Sequence, residues 1–548
     1  MSVPDWIVLI VTLSCIVMYG VYKSRTSKNL EGYFLSNRDM PWYLVLLSIM
    51  GTQASAITFL SAPGQAYTDG MRFVQYYFGL PLAMIVICIV FVPVFNRLKV
   101  FTAYEFLEQR FDLRTRTFTS FLFQISRGLS TGISIYAPSL ILSSLMGWNI
   151  YYTNFIMGGL LIIYTVSGGA RAVAHTQKLQ LLIVLVGMVL AGYWVVHKMP
   201  PNVGFLDALQ LGGSKGKMNI ITTGNTDTGF DWKDKYNIWS GVIGGFFLAL
   251  SYFGTDQSQV GRYLTAKNNR QSKMGLLMNG VIKIPMQFAI LLLGVLVFSF
   301  YQFNKAPVYF NEAQAVRAKQ TVYKNDLTTL ELKYNDLSAI DNPGKEKIRN
   351  EYKAVLTKAL PGESANDTNF IFLRFVIDYL PKGLIGLLIA VIFLAAWGSI
   401  AAALNSLASC TVVDIHKRFL KKEMTPQMDY RISKFYTFLW GVFCILVAQF
   451  AGNLGNSLIE TVNILGSLFY GVILGIFLVA FWFKFIKANA IFYGAIISEV
   501  LVVLIYKADI ISFLWLNVIG ALLVIVIAAL LQAGGFLGGK KIVAELSS

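Results

Sequence analysis

Histidine and cysteine are scarce in this chain, and charge of either sign is thin. Three histidines, His175, His197 and His416, are scattered over 548 residues and form no metal cluster. Four cysteines, Cys15, Cys88, Cys410 and Cys444, fall within apolar runs with neither metal-ligand nor disulfide spacing, so buried free thiols are expected. Charged residues make up 14% of the chain against 55% hydrophobic ones, far more apolar surface than one soluble core can bury. The opening "MSVPDW" carries no basic segment, no small-residue cleavage site follows and further apolar runs come after it, so a retained helix is expected here rather than a signal peptide. "GGSKGKM" at 212–218 lacks the first glycine and the following Ser or Thr of a phosphate loop. No enzymatic role is expected.

What the chain does have is a long series of apolar runs, each able to cross a hydrocarbon core of about 30 Å. Hydropathy predicts roughly thirteen spans, at 5–22, 41–62, 73–96, 117–146, 150–168, 178–197, 238–255, 275–302, 383–413, 431–451, 457–483, 489–507 and 510–534. This describes an all-α polytopic membrane protein. The net charge of +17 collects in alternate loops: Lys23, Arg25 and Lys28; Arg97, Lys99, Arg110 and Arg114; Arg262, Lys267 and Arg270; Lys417, Arg418, Lys421 and Lys422; and the Lys540–Lys541 tail. The bias places the N-terminus outside and the C-terminus in the cytoplasm, in a multi-pass cell membrane protein. The stretch 303–371 falls on the outer side and mixes Lys, Glu, Asp and Asn around the turn Asp341-Asn342-Pro343-Gly344. An exposed helical hairpin is expected there, either a lid or a solvated insertion.

Polar residues inside spans mark two interruptions. "SIMGTQASAITFLSAPG" at 48–64 crowds Gly51, Thr52, Gln53, Ser55 and Thr58 into its centre, and "FFLALSYFGTDQSQVGRYL" at 246–264 is dense around Gly254, Asp256 and Gln257. Interrupted membrane helices free backbone groups for a solute or an ion. The two lie five spans apart, the relation of first helices in two inverted repeats. Lys283 and Arg127 are basic residues within spans; such charges either serve function or snorkel to the interface. Glu499, in "IISEVLV", reads as a packing or ion-pair acid far from both interruptions.

Three stretches resemble the solute:sodium symporter family of sugar, sialic acid, iodide, multivitamin and monocarboxylate carriers. They are "ASAITFLSAPGQAYTDGMRF" with "FVPVFNRLKVFTAYEFLEQRFDLRTR", "IYAPSLILSSLMGWNI" with "IIYTVSGGARAVAHTQKLQ", and "AVIFLAAWGSIAAALNSLASCTVVDI". "IYAPSLIL" and "APGQAY" stand nearest the iodide, multivitamin and monocarboxylate branch. The resemblance implies a leucine-transporter-type 5+5 inverted-repeat bundle. It consists of an extra N-terminal helix and loop (1–40), a first repeat (41–198), an outer loop (199–237), a second repeat (238–483) containing the insertion, and additional C-terminal helices (484–548).

The resemblance also implies a sodium ion as coupling ion, held by backbone carbonyls at Gly51, Ala54 and Ala395 and by hydroxyls at 398 and 399. Here position 399 is Ser399 but position 398 is Gly398. Four of five oxygens remain; water beside Gly398, or Thr52, Gln53 or Ser55, is expected to complete the set. A second sodium site of some members needs an acid where this chain has Gln177 and serines where it has Ala401 and Ala402; that site is expected to be absent. Solute contacts carry over to Gln53, Ser55, Thr58, Phe73, Tyr77 and Lys283, with Tyr252 as an inner-gate aromatic and Arg127 one turn from a carboxylate-binding arginine. The expected function is sodium-coupled uptake of a small polar organic solute, a sugar, polyol or organic acid, by alternating access. No organic cofactor, nucleic acid or obligatory protein partner is expected. The alternatives are a proton-coupled or uncoupled carrier of the same fold, or a transporter-like solute sensor. Against the sensor stands the shortness of the chain after 534, where such proteins append a signalling domain.

Overall fold

The computed structural model describes residues 1–24, 30–337, 343–420, 425–453 and 457–534. Arg25, Lys28, Asp341, Asn342, Lys421, Lys422 and the Lys540–Lys541 pair lie outside them. Among the described residues ten helices are long and apolar enough to cross a membrane, and three shorter apolar helices, Trp42–Gln53, Ile150–Val166 and Ser240–Gly254, add to them.

The helices that matter for the site are α1 (Val3–Ser24), α2 (Trp42–Gln53), α3 (Ala56–Asp69), α4 (Leu113–Met146), α5 (Ile150–His197), α6 (Gly245–Gly254), α7 (Gln257–Tyr263), α8 (Asn269–Phe303), α9 (Leu384–Cys410) and α10 (Leu458–Trp482). Helix α9 is the axis of the bundle: every residue from Leu388 to Cys410 is buried. A helix apolar on all sides is stable only when protein surrounds it. Its first turn is tied to the chain's start, where Asp5 Oδ1 accepts from the Gly383 N–H at 2.5 Å. Just beyond its other end, the buried Asp414 carboxylate accepts from Arg116 Nε at 2.8 Å, from Thr102 Oγ1 at 2.6 Å and from Ser120 Oγ at 3.1 Å.

Helix α5 corresponds to two predicted spans and runs through 48 residues without a break in its helical assignment. A straight helix of that length would extend about 72 Å, more than twice the bilayer core. Tyr164 Oη nevertheless lies 2.6 Å from Thr176 Oγ1, although twelve residues of straight helix separate Cα atoms by about 18 Å. Tyr164 and Thr176 are therefore brought side by side, and Ile150–Val166 and Val173–His197 cross as separate segments.

Helix α8 packs lengthwise on the α2–α3 pair. A side chain at Gly294 would collide with the Pro63 carbonyl, so glycine sets the close approach at that end. At the other end Gln53 Nε2 donates to Asn279 Oδ1 at 3.0 Å. The insertion forms helices Glu312–Ala318, Lys324–Asp336 and Pro343–Ala359. They close over a small core of their own built on Tyr309, Leu327, Tyr352 and Leu356. Of the four thiols expected to be buried, Cys15 is exposed and the other three are buried; Cys15 sits on α1, whose outer face is apolar and unpacked. Glu499 has no partner for either carboxyl oxygen among the described residues, so neither an ion pair nor a hydrogen bond holds it there.

Candidate functional site

The break between α2 and α3 is two residues long. Ala54 takes φ −77°, ψ 72° and Ser55 is extended at φ −83°, ψ 169°. In an unbroken helix the Ser55 N–H would bond the Gly51 carbonyl; it donates instead to the Gln53 carbonyl at 2.9 Å. The Thr58 N–H, the helical partner of the Ala54 carbonyl, is likewise diverted to the Ser55 carbonyl at 3.0 Å. The carbonyls of Gly51 and Ala54 are thus both released from their helical bonds. On α9 the Ser399 hydroxyl stays close to the backbone, 3.0 Å from the Ala395 carbonyl.

One cavity of about 150 Å³ joins these elements. Its wall takes Thr52, Gln53, Ser55 and Thr58 from the break, Tyr77 from the following 3₁₀ segment, Tyr252 from α6, Lys283 from α8 and Ser399 from α9. Phe73 does not reach the wall. Its ring stands behind, stacked on Tyr76 at 5.4 Å and edge-on to Tyr77 at 6.0 Å, where it supports these two tyrosines, which do line the space. Tyr76, also on the wall, donates from Oη to Asn463 Oδ1, another wall residue, at 3.1 Å.

Arg127 and Tyr470, which also line the cavity, belong to a charged cluster. Arg127 on α4 donates from Nε to Asp256 Oδ2 at 3.1 Å, its Nη2 also contacts that oxygen, and the same Nη2 donates to Tyr470 Oη at 2.6 Å. Tyr470 in turn donates to Asp256 at 2.8 Å, and the Tyr252 ring lies 5.3 Å under the guanidinium. Asp256 sits in the second break, between α6 and α7, where it also caps α7 by accepting from the Ser258 N–H at 2.7 Å. Both predicted interruptions therefore face one cavity from different sides. Polar density around Asp256 marks this segment in the sequence, but nothing in "GSLFYG" at 466–471 announces Tyr470.

Lys283 is 1% exposed, lines the cavity and has no carboxylate partner among the described residues; its ammonium stands 5.5 Å from the Tyr77 ring centroid. Two more polar side chains continue its face of α8 at four-residue spacing, Asn279 and Gln287, each 0% exposed.

Gln177 ties the first break to α9. Its Nε2 donates to Thr52 Oγ1 at 3.2 Å and to the Gly398 carbonyl at 3.0 Å, while its Oε1 accepts from Ser48 at 2.8 Å. A side chain on Gly51 would meet Gln177 Cβ at 2.9 Å, so the glycine lets the helices touch here. The space beside Gly398, which the sequence leaves to water, is filled by protein: a Cβ there would lie 3.3 Å from Gln177 Cγ and 2.5 Å from Gln180 Oε1. Ala401 and Ala402 are fully buried and offer no side-chain oxygen.

This arrangement, two broken helices around a polar cavity within an apolar bundle, has known counterparts. A sequence profile described as "Sodium:solute symporter family" matches residues 33–332 and 350–498. The chain belongs to the sodium:solute symporter family. It is 26% identical to the sodium/sialic acid symporter SiaT of Proteus mirabilis over 98% of this chain and 96% of that protein. It is 27% identical to the human sodium/iodide cotransporter over 83% of this chain and 62% of the relative. Among solved structures, the substrate-bound outward-open state of a Na+-coupled sialic acid symporter superposes with a TM-score of 0.78 at 25% identity. That match covers 97% of this chain and 98% of the other. The fold is that of the leucine-transporter type, and the family is one of transporters.

Proposed function

We propose that this symporter-family chain couples sodium influx to the uptake of one small polar organic solute, with one sodium ion bound beside the first break. The observation that carries the reading is the release of the Gly51 and Ala54 carbonyls by the break, whose neighbouring residues Gln53 and Ser55 line the same cavity as Ser399. Those two carbonyls, the Ala395 carbonyl and the Ser399 hydroxyl form a hard-oxygen set suited to an alkali cation. A single ion suffices energetically: one charge moving through about 100 mV supplies roughly 2.3 kcal/mol, or about fiftyfold accumulation. A second ion finds no set of oxygens around Gln177, whose N–H groups already point at the Thr52 and Gly398 oxygens.

Gln53, Ser55, Thr58, Tyr77, Tyr252 and Lys283 contact the solute, with Phe73 as support. The charge balance of the wall favours an organic acid over a sugar or polyol. Arg127 is neutralised by Asp256, whereas among the described residues Lys283 has no carboxylate partner and the wall contains no acid. A cavity of about 150 Å³ accommodates a solute of roughly benzene size. Residues 41–198 and 238–483 act as the two inverted halves, each opened by its broken helix. The N-terminus lies outside and the C-terminus in the cytoplasm, in the cell membrane.

Sodium binding itself provides the test. Ser399→Ala removes one oxygen and is expected to raise about tenfold the sodium concentration giving half-maximal thermal stabilisation, with choline as the replacement ion. An unchanged midpoint would remove Ser399 from the site.

A further inference from the structure

We propose that a phospholipid seats one acyl chain in the groove between the second segment of α5 and α8, with its phosphate at the His197 end. The inference does not depend on the sodium reading. It concerns the membrane-facing side of the bundle, behind the solute cavity.

The groove encloses about 720 Å³. Leu185, Met188, Val189, Gly192 and Val196 form one wall, recurring at three- and four-residue spacing on a single face of α5. Met286, Ala289, Ile290, Leu293 and Leu296 form the other wall from α8 in the same way. From Leu185 to Val196 the helix rises about 17 Å, and from Met286 to Leu296 about 15 Å. Both lengths are close to half of a hydrocarbon core of about 30 Å, so the groove is as long as a chain from one leaflet. It also opens to that leaflet: Val189 and Tyr193 are 73% and 60% exposed on a helix long and apolar enough to cross a membrane. Among the described residues no Asp, Glu, Lys or Arg lines it. An apolar space of this size facing a bilayer takes hydrocarbon, since the core of the bilayer holds no water.

Gly192 is the sharpest sign that the space is built. Glycine weakens a helix interior, and Gly187 and Gly294 justify theirs by close contact: a Cβ at Gly294 would strike Pro63, and one at Gly187 would meet Leu388 and Val391 at 3.0 Å. At Gly192 a Cβ would meet only Leu293 Cδ1 within 4 Å, at 3.9 Å. No neighbour requires this glycine. What it leaves open is the groove.

The two ends orient the lipid. Gln53 pairs with Asn279 and Pro63 abuts Gly294, so Phe59, which lines the groove, falls level with its Met286 end. Phe59 follows Thr58 of the solute wall, and the methyl end of the chain therefore lies behind that wall. At the other end the Tyr193 and His197 rings stack at 5.7 Å, and the Lys198 ammonium stands 5.7 Å from the Trp194 ring. Aromatic rings of this kind mark headgroup level, and Lys198 offers the charge that complements the phosphate every phospholipid carries.

The test is photolabelling of the full chain in phosphatidylcholine vesicles doped with a phosphatidylcholine that carries a diazirine midway along one acyl chain. Adducts are located by mass spectrometry after proteolysis. The wild type should carry adducts on 185–205 and 286–296 at a higher yield than on α1, whose apolar face meets lipid without a groove. Gly192→Leu fills the groove from α5 and is expected to lower the yield there about tenfold, with adducts on α1 unchanged. Ala289→Leu fills it from α8 and should do the same, which keeps the test decisive if the first variant folds poorly. Groove yields no higher than those on α1, or yields indifferent to both fillings, overturn the assignment. So does efficient disulfide capture between copies through Val189→Cys in a Cys15→Ser background, which would show a second copy of the chain covering this face.

Discussion

Replacing Asp256 by asparagine is expected to destabilise the protein by about 3–5 kcal/mol, the cost of leaving a buried guanidinium without its counter-charge. Arg127 and Asp256 stand 129 residues apart, on α4 and in the second break, and Tyr470 on α10 bonds both. Removing the carboxylate charge leaves three elements joined through an uncompensated cation. Asparagine still accepts from the Ser258 N–H, so the cap on α7 survives and the loss reports the ion pair. Arg127→Met should cost a similar amount, because it strands the acid. The double variant Arg127→Met/Asp256→Asn should recover a large part of the loss, since neither charge then remains unpaired. Denaturation of the four proteins in detergent measures the cycle; additive losses would show that the two groups act independently. Arg127 and Ser258 both line the cavity, so the double variant should expose a cysteine placed at Ser258 to thiol reagents faster than the wild-type pair does.

Lys283→Met is expected to act in the opposite direction on stability. An unpaired ammonium inside the bundle is unfavourable, and an apolar side chain of similar length should raise the unfolding free energy by about 1–3 kcal/mol. Solute affinity should fall at the same time by about 10- to 150-fold, the worth of a charge-assisted hydrogen bond of about 1.5–3 kcal/mol. Sodium-dependent uptake of organic acids and the melting temperature, measured on one preparation, check both halves. A variant that melts higher and still transports an acid with unchanged affinity would contradict the placement of Lys283 at the solute's charged end.

The sequence reading reached the fold and both breaks for a physical reason. Apolar runs and their polar interruptions are local properties, and Gly51 to Ser55 or Gly254 to Gln257 display them over a few residues. It missed what depends on distant pairing. Arg127 and Lys283 look alike as basic residues within spans; only the fold shows one neutralised by Asp256 and the other facing the cavity alone. Phe73 and Tyr77 fall on one segment, yet the 3₁₀ winding from Gly70 to Tyr77 turns Phe73 behind the wall. The space beside Gly398 was legible as a missing hydroxyl. Its filling by Gln180 was not, because the glutamine arrives from the second segment of α5, a distant part of the chain.

The central claim is that sodium and an organic acid bind to one conformational cycle and move together. The most direct measurement is uptake of a panel of labelled small carboxylates, sugars and polyols into proteoliposomes under an imposed inward sodium gradient, repeated with potassium in place of sodium. At least one carboxylate should accumulate above its external concentration with sodium and only equilibrate with potassium, and radioactive sodium influx should accelerate when that carboxylate is present. Equal accumulation in the two salts, or sodium influx indifferent to every solute transported, would contradict it.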